Sequence, residues 1–184
     1  MKKIFVSNWI SLDGIFSGPN GETEWFTSDE DLYKYNMEDL QQADTIIFGR
    51  TTYELMIDYW PTSESQKEYP QAHEYMNACK KHIFSGTIHS SDWSNCFFHK
   101  ELNPEAIHEI KSGTEKNIVI LGSGEISRQM HALGLIDEYH ILLDPQFVGA
   151  GKVFFQDMPK EKLLLQESKS FDCGVNHLKY KVLK

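Results

Sequence analysis

The sequence predicts an α/β domain in which a mixed, mostly parallel central sheet carries helices on its faces and ends in an antiparallel hairpin. Three observations predict it. Short β-rich apolar runs alternate with segments of helical periodicity, as in crossover connections. Glycines stand at the exits of several of these runs, and the last third holds two long strand-like segments around a tight turn.

The first strand is expected over residues 4–9 and leads into Ser11-Leu12-Asp13-Gly14. A helix is expected to start at Ser28, with Asp31 three residues on, acidic residues in its first turn, and Leu32, Asn36 and Leu40 on one face. The second strand covers 45–48, and a short helix over 51–58 opens after Gly49-Arg50. Residues 82–84 form a third strand, and Pro104 suits the first turn of a helix ending near Gly113. A buried strand at 117–121 passes into a helix over 124–133, stopped by Gly134, and a further strand spans 139–143. Residues 163–171 and 175–182 then flank Asp172-Cys173-Gly174 as a hairpin. That edge is suited to pairing with a second copy in a homodimer, and equally to a protected monomer.

The 184 residues, 40% of them hydrophobic, match one domain spanning 1–184 that buries roughly two-thirds of its unfolded surface. Three cysteines with no close pairing argue against a disulfide framework or a Cys-rich zinc site. No apolar run approaches the ~20 residues of a membrane span, and the N-terminus passes directly into a strand, so a soluble cytoplasmic protein is expected. A net charge of −9 disfavours nucleic acid as a partner and leaves a small molecule. None of the histidines forms His-x-x-x-His or His-Glu-x-x-His, so no metal is expected, and no Gly-x-Ser-x-Gly elbow is present for a serine hydrolase.

Residues 117–126, Asn-Ile-Val-Ile-Leu-Gly-Ser-Gly-Glu-Ile, carry the sharpest local signal. Glycines after a strand let a ligand approach the backbone, and a new helix N-terminus offers unpaired amides to phosphate. An ordinary tight turn explains the same residues, and the full Gly-x-Gly-x-x-Gly of the doubly wound dinucleotide fold is missing. At the second strand exit, Gly49-Arg50-Thr51-Thr52 sets a guanidinium and two hydroxyls at a helix start, a combination suited to a phosphate monoester. A solvated Arg50 beside a simple cap is the alternative there. Asp13, before a glycine-rich loop running to Trp25-Phe26, is placed either to orient a polar ring or merely to make a turn. Tyr53 either borders the substrate pocket or joins the core.

Taken together, Ser11-Leu-Asp-Gly14, Phe48-Gly-Arg-Thr-Thr-Tyr-Glu54, Ile83-Phe-Ser-Gly-Thr87, Leu121-Gly-Ser-Gly-Glu125, Leu135-Ile-Asp-Glu-Tyr139 and Pro145 followed by Gly149-Ala-Gly151 resemble the RibD C-terminal family of the dihydrofolate reductase-like superfamily. The resemblance implies a three-layer α/β/α fold and an NADPH-dependent, riboflavin-pathway type of reductase. It implies that Gly49, Arg50, Thr51 and Thr52 lie at the adenosine 2′-phosphate and Ser85 beside the adenine. Gly122, Ser123, Gly124, Glu125 and Ile126 would lie at the diphosphate, with Asp13 and Trp25 facing the substrate and Asp13 as the candidate catalytic group. The zinc motif of the family's deaminase half is absent. Residues 29–42 contain only Lys34 where the pathway reductases carry phosphate-gripping arginines, which weakens the case for a phosphoribosyl substrate. A non-enzymatic ligand-binding module and a true dihydrofolate reductase are the competing readings.

Overall fold

A computed structural model describes residues 2–183. The elements run in the order β1 (Ile4–Ser11), β2 (Ile15–Ser17), α1 (Glu30–Leu40), β3 (Ala43–Gly49), α2 (Arg50–Tyr59), α3 (Ser63–Glu68), α4 (Pro70–Ala78), β4 (Lys80–Phe84), β5 (Cys96–His99), α5 (Pro104–Gly113), β6 (Asn117–Leu121), α6 (Gly124–Ala132), β7 (Glu138–Asp144), β8 (Lys152–Val153), β9 (Leu163–Ser170) and β10 (Asn176–Val182). The main sheet has the order β5-β4-β3-β6-β1-β7-β10-β9. All neighbours from β5 to β7 pair in parallel, and β10 joins β7 and β9 antiparallel, so the sheet is mixed and mostly parallel.

Alternation along the central strands fills an apolar layer on each face. Ile4, Val6, Ile47, Ile118 and Ile120 pack with Ile107 and Ile110 of α5 and Ile126 and Met130 of α6. Their sequence neighbours Phe5, Ile46, Phe48 and Val119 meet Met37 of α1 and Tyr75 and Met76 of α4 on the opposite side. Strands buried on both faces read as unbroken apolar runs, which is why β3 and β6 were the clearest in the sequence. The layers are therefore helix, sheet, helix.

Helix α1 begins one residue later than the sequence predicts. Asp29, not Ser28, is its cap: one carboxylate oxygen accepts the Leu32 amide at 2.7 Å and the other accepts the Cys173 amide of the β9–β10 turn at 2.9 Å. A second contact across the fold decides between adjacent capping residues. The hairpin turn closes through Phe171 N–H to Val175 O at 3.0 Å and Gly174 N–H to Phe171 O at 2.9 Å. Strand β9 is exposed along most of its length as the outer edge of the sheet. Among the described residues no helix is long and apolar enough to cross a membrane.

Between α1 and the β7–β10 pair lies a buried ionic network that no local spacing revealed. Asp39, 2% exposed, accepts a hydrogen bond from His140 Nδ1 at 2.6 Å and faces Lys179 Nζ at 2.9 Å and His177 Nε2 at 3.6 Å. Asp39, His140 and His177 place possible ligand atoms within 4.8 Å of one another, a cluster the sequence reading of the histidines missed. The Lys179 ammonium already supplies the positive charge there. Burial by itself raises the Asp39 pKa, but the hydrogen bond from His140, the nearby His177 imidazole and Lys179 outweigh it and hold the carboxyl well below its usual range. Burial lowers His140, yet its contacts with Asp39 and Glu138 raise it overall. Glu138 is held at about 2 by His140, over the cost of burial, and by Lys3 at 2.7 Å.

The sign of the pH dependence follows. Stabilisation from the two carboxylates is present above their ordinary values of 3.8 and 4.5 and is lost as pH falls through the lowered ones. That from His140 is complete below 6.5 and is lost as pH rises through its raised value. The melting-temperature gap between wild type and Asp39→Ala is therefore expected to be widest between about pH 4.5 and 6.5. A gap that is constant from strongly acid to alkaline pH would contradict the assignment.

Candidate functional site

Two strand-to-helix turns meet at the carboxyl end of the sheet. Strands β3 and β6 are neighbours in parallel register, so the turns leaving them, Gly49 into α2 and Gly122-Ser123 into α6, emerge side by side. Gly122 has φ +56° and Ser123 φ +54°, both left-handed. Such a conformation is strained for serine, and local hydrogen bonds hold it. The Ser123 amide and hydroxyl both donate to Thr52 Oγ1, at 3.1 and 2.9 Å, while Ser123 Oγ accepts the Gly49 amide at 2.8 Å. This clasp joins the starts of α2 and α6 into one unit. A Cβ on Gly49 would lie 3.1 Å from Ile126 Cγ1, so any larger residue there would press on the Ile126 side chain.

Neither α2 nor α6 has a side-chain cap, whereas Asp29, Thr62 and Asn103 cap α1, α3 and α5. The first-turn amides of both helices are thus left without a side-chain acceptor at the opening between the two turns, where the helix dipoles favour an anion.

That opening is a cleft of about 760 Å³. Gly49, Arg50, Thr51, Thr52, Ser85, Gly122, Ser123, Gly124, Glu125 and Ile126 all line it, so the two glycine turns and the residue after β4 share one cavity. Among the described lining residues stand four cations, Arg50, Lys100, Arg128 and Lys152, against one carboxylate, Glu125. On a chain of net charge −9 this is a local inversion of sign. Glu125 is itself held low by hydrogen bonds from Gln129 and from Arg128 at 2.8 Å. Arg50, at the first position of α2, lies 3.3 Å from Glu54 and is more than half exposed, with no acidic residue in the first turn. A cation set against the positive end of a helix dipole is relieved when an anion arrives.

The residues expected to face the substrate are elsewhere. Asp13 lies outside the cleft lining and is engaged by the Ser11 hydroxyl at 2.5 Å and by the Val148 and Gly149 amides at 3.2 and 2.8 Å. The Ser11 hydrogen bond, with those amides, lowers its pKa. Asp13 is thus a tie between two loops and stands apart from the lining of this cleft. Tyr53 is 4% exposed and packs between Trp93 and Phe98 in the core beneath α2. Helical geometry turns it away from the cleft that its neighbour Thr52 lines. Trp25 sits behind Phe26, ring centroids 4.6 Å apart and edge to face, and it is Phe26 that reaches the cleft.

Sequence reasoning missed Asn8, Lys100, Arg128 and Lys152. Lys100 follows β5, a strand not foreseen, and Lys152 follows the Gly149-Ala-Gly151 landmark. Arg128 was legible as the partner of Glu125 one turn back on α6.

The pattern of the RibD C-terminal domain matches residues 2–177. The chain belongs to that family. A relative within reach of this RibD C-terminal domain is the uncharacterised protein YyaP of Bacillus subtilis (strain 168), 28% identical over 180 residues covering 97% of this chain and 94% of that one. The fold, dihydrofolate reductase-like, is shared with a crystal structure from Shewanella sp. PV-4 at TM-score 0.77 and 17% identity, covering 99% of both chains. It is shared too with the Thermotoga maritima diaminohydroxyphosphoribosylaminopyrimidine deaminase/5-amino-6-(5-phosphoribosylamino)uracil reductase, at TM-score 0.71 and 11% identity. There it covers 99% of this chain and 57% of that longer one.

Proposed function

We propose that this RibD C-terminal domain is an NADPH-dependent reductase acting on a C=N or C=O bond of a small heterocyclic or sugar-derived substrate. One observation carries the reading: two side-chain-uncapped helix N-termini and four cations converge on a single cleft of an acidic protein. A phosphorylated dinucleotide fits this donor set. Bound there, NADPH would supply the hydride.

The chain's own residues divide the remaining work. The amides opening α6 at Gly124 to Ile126 suit the diphosphate, and Arg50 with Thr51 and Thr52 suits the 2′-phosphate that separates NADPH from NADH. Ser85 would border the adenine. Phe16 and Phe26, which line the cleft, would exclude water from the ring of a bound cofactor. Since Glu125 is the single lining carboxylate described and is ion-paired, water is the proton source in this reading. Helix α1 offers only Lys34 as a cation, so it adds little grip on a ribose phosphate, which favours a substrate recognised through its ring.

With Glu125 ion-paired and no other carboxylate among the described lining residues, one rival is also favoured, a binding module without turnover. Purified protein with NADPH and a panel of pyrimidine, pterin and sugar carbonyls, dihydrofolate included, separates them: the reductase reading expects consumption of reduced nicotinamide with at least one. Tight NADPH binding with no consumption across the panel would favour the binding module. The unpaired thiols of Cys79, Cys96 and Cys173 fit work in the cytoplasm, and the exposed edge of β9 fits a homodimer, which light scattering would detect as twice the chain mass.

A further inference from the structure

The cleft floor contains one polar side chain that the fold does not use. On β1, Ile4, Val6 and Ile10 enter the apolar layer beneath α5 and α6, and alternation puts Asn8 in the same row. Asn8 is 8% exposed and lines the cleft, and its Nδ2 has no hydrogen-bond partner among the described residues. An unpaired buried amide lowers stability, and a leucine would fit such a row better. Unlike the other unpartnered buried polar groups described, Asn8 lines the cleft, where a ligand acceptor could satisfy it.

We propose that Asn8 donates from Nδ2 to the carboxamide oxygen of the nicotinamide ring and so positions the reacting end of the cofactor. The assignment rests on the NADPH reading above. Strand order fixes which end of the ligand is concerned: Ser85 follows β4, Arg50 follows β3, the glycine turn follows β6, and Asn8 stands on β1, the next strand over. Register pairs Ser7 with Leu121, so Asn8 lies level with Gly122, about one strand spacing of 4.8 Å beyond the phosphate turn and on the side away from Arg50. A dinucleotide with its adenine near Ser85 and its diphosphate at Gly122 to Ile126 therefore continues over Asn8. The –NH₂ group of asparagine matches an acceptor, and the carboxamide oxygen is the acceptor at that end.

Asn8→Leu, close to isosteric, tests the assignment in the full chain by calorimetry with two probes, NADPH and adenosine 2′,5′-bisphosphate, which keeps the adenine and 2′-phosphate but lacks the ring. NADPH is expected to bind about tenfold more weakly, as for one lost hydrogen bond from a buried donor, with the bisphosphate unchanged. The melting temperature of the ligand-free variant is expected to rise, because the unpaired donor is gone; a purely structural asparagine would give the opposite sign. Asn8→Ala, which also removes the donor, should reproduce the ligand pattern. Unchanged NADPH affinity, equal weakening of both probes, or a lower melting temperature for Asn8→Leu would each overturn the assignment. A wild-type chain that binds neither probe overturns the cofactor reading itself, and this assignment with it.

Discussion

Asp39→Ala is expected to destabilise the protein by about 3–5 kcal/mol, the usual result of removing one member of a buried ion network. The carboxylate is 2% exposed and stands between α1 and the last strands, so its loss leaves Lys179 and His140 facing each other without the charge that both require. Gln42 Nε2, 3.2 Å from Oδ1, loses its acceptor as well. Asp39→Asn should recover only part of the loss, since it keeps the shape and an acceptor but not the charge. Urea unfolding reads the effect as a lower midpoint at unchanged slope. A shift below about 1 kcal/mol would mean that the network adds no more than surface pairs do.

Gly122→Val is expected to weaken NADPH binding about a hundredfold, the worth of one to two charge-assisted hydrogen bonds to phosphate. Left-handed φ at this position costs a side-chain-bearing residue roughly 1–2 kcal/mol. The new Cβ would also meet Thr52 Cγ2 at 3.2 Å and Oγ1 at 3.3 Å. Because Thr52 Oγ1 anchors Ser123, and Ser123 anchors the Gly49 amide, pushing it aside loosens the starts of α2 and α6 together. Thr52→Val, which removes the anchor without crowding the turn, should weaken binding in the same direction by less. Calorimetry beside a thermal melt separates lost affinity from lost fold, and full affinity in a folded Gly122→Val would remove the turn from the site.

What was legible in the sequence follows from where the information lies. β1, β3, β6 and β7 are buried on both faces, and the glycines that end β3 and β6 mark the turns lining the cleft, so both fold class and phosphate cradle were readable locally. β5 is four residues, Cys96–His99, and not fully buried, and in α3 only Ser65 is buried, so neither carried a periodic signal. Pro70 opens α4 directly after α3, where a proline reads as readily as a loop. The ties of Asp13 were not readable, because the amides it accepts, of Val148 and Gly149, lie more than 130 residues away in the chain. Asp39, His140 and His177 likewise come from α1, β7 and β10, and no spacing rule joins them.

A crystal structure of the chain grown with NADPH examines the cleft most directly. The dinucleotide should lie with its diphosphate on the amides that open α6 and its 2′-phosphate within hydrogen-bond reach of Arg50 and the Thr51 and Thr52 hydroxyls. Clear density for the cofactor away from these two turns, or a 2′-phosphate in solvent with Arg50 still turned to Glu54, would contradict the account.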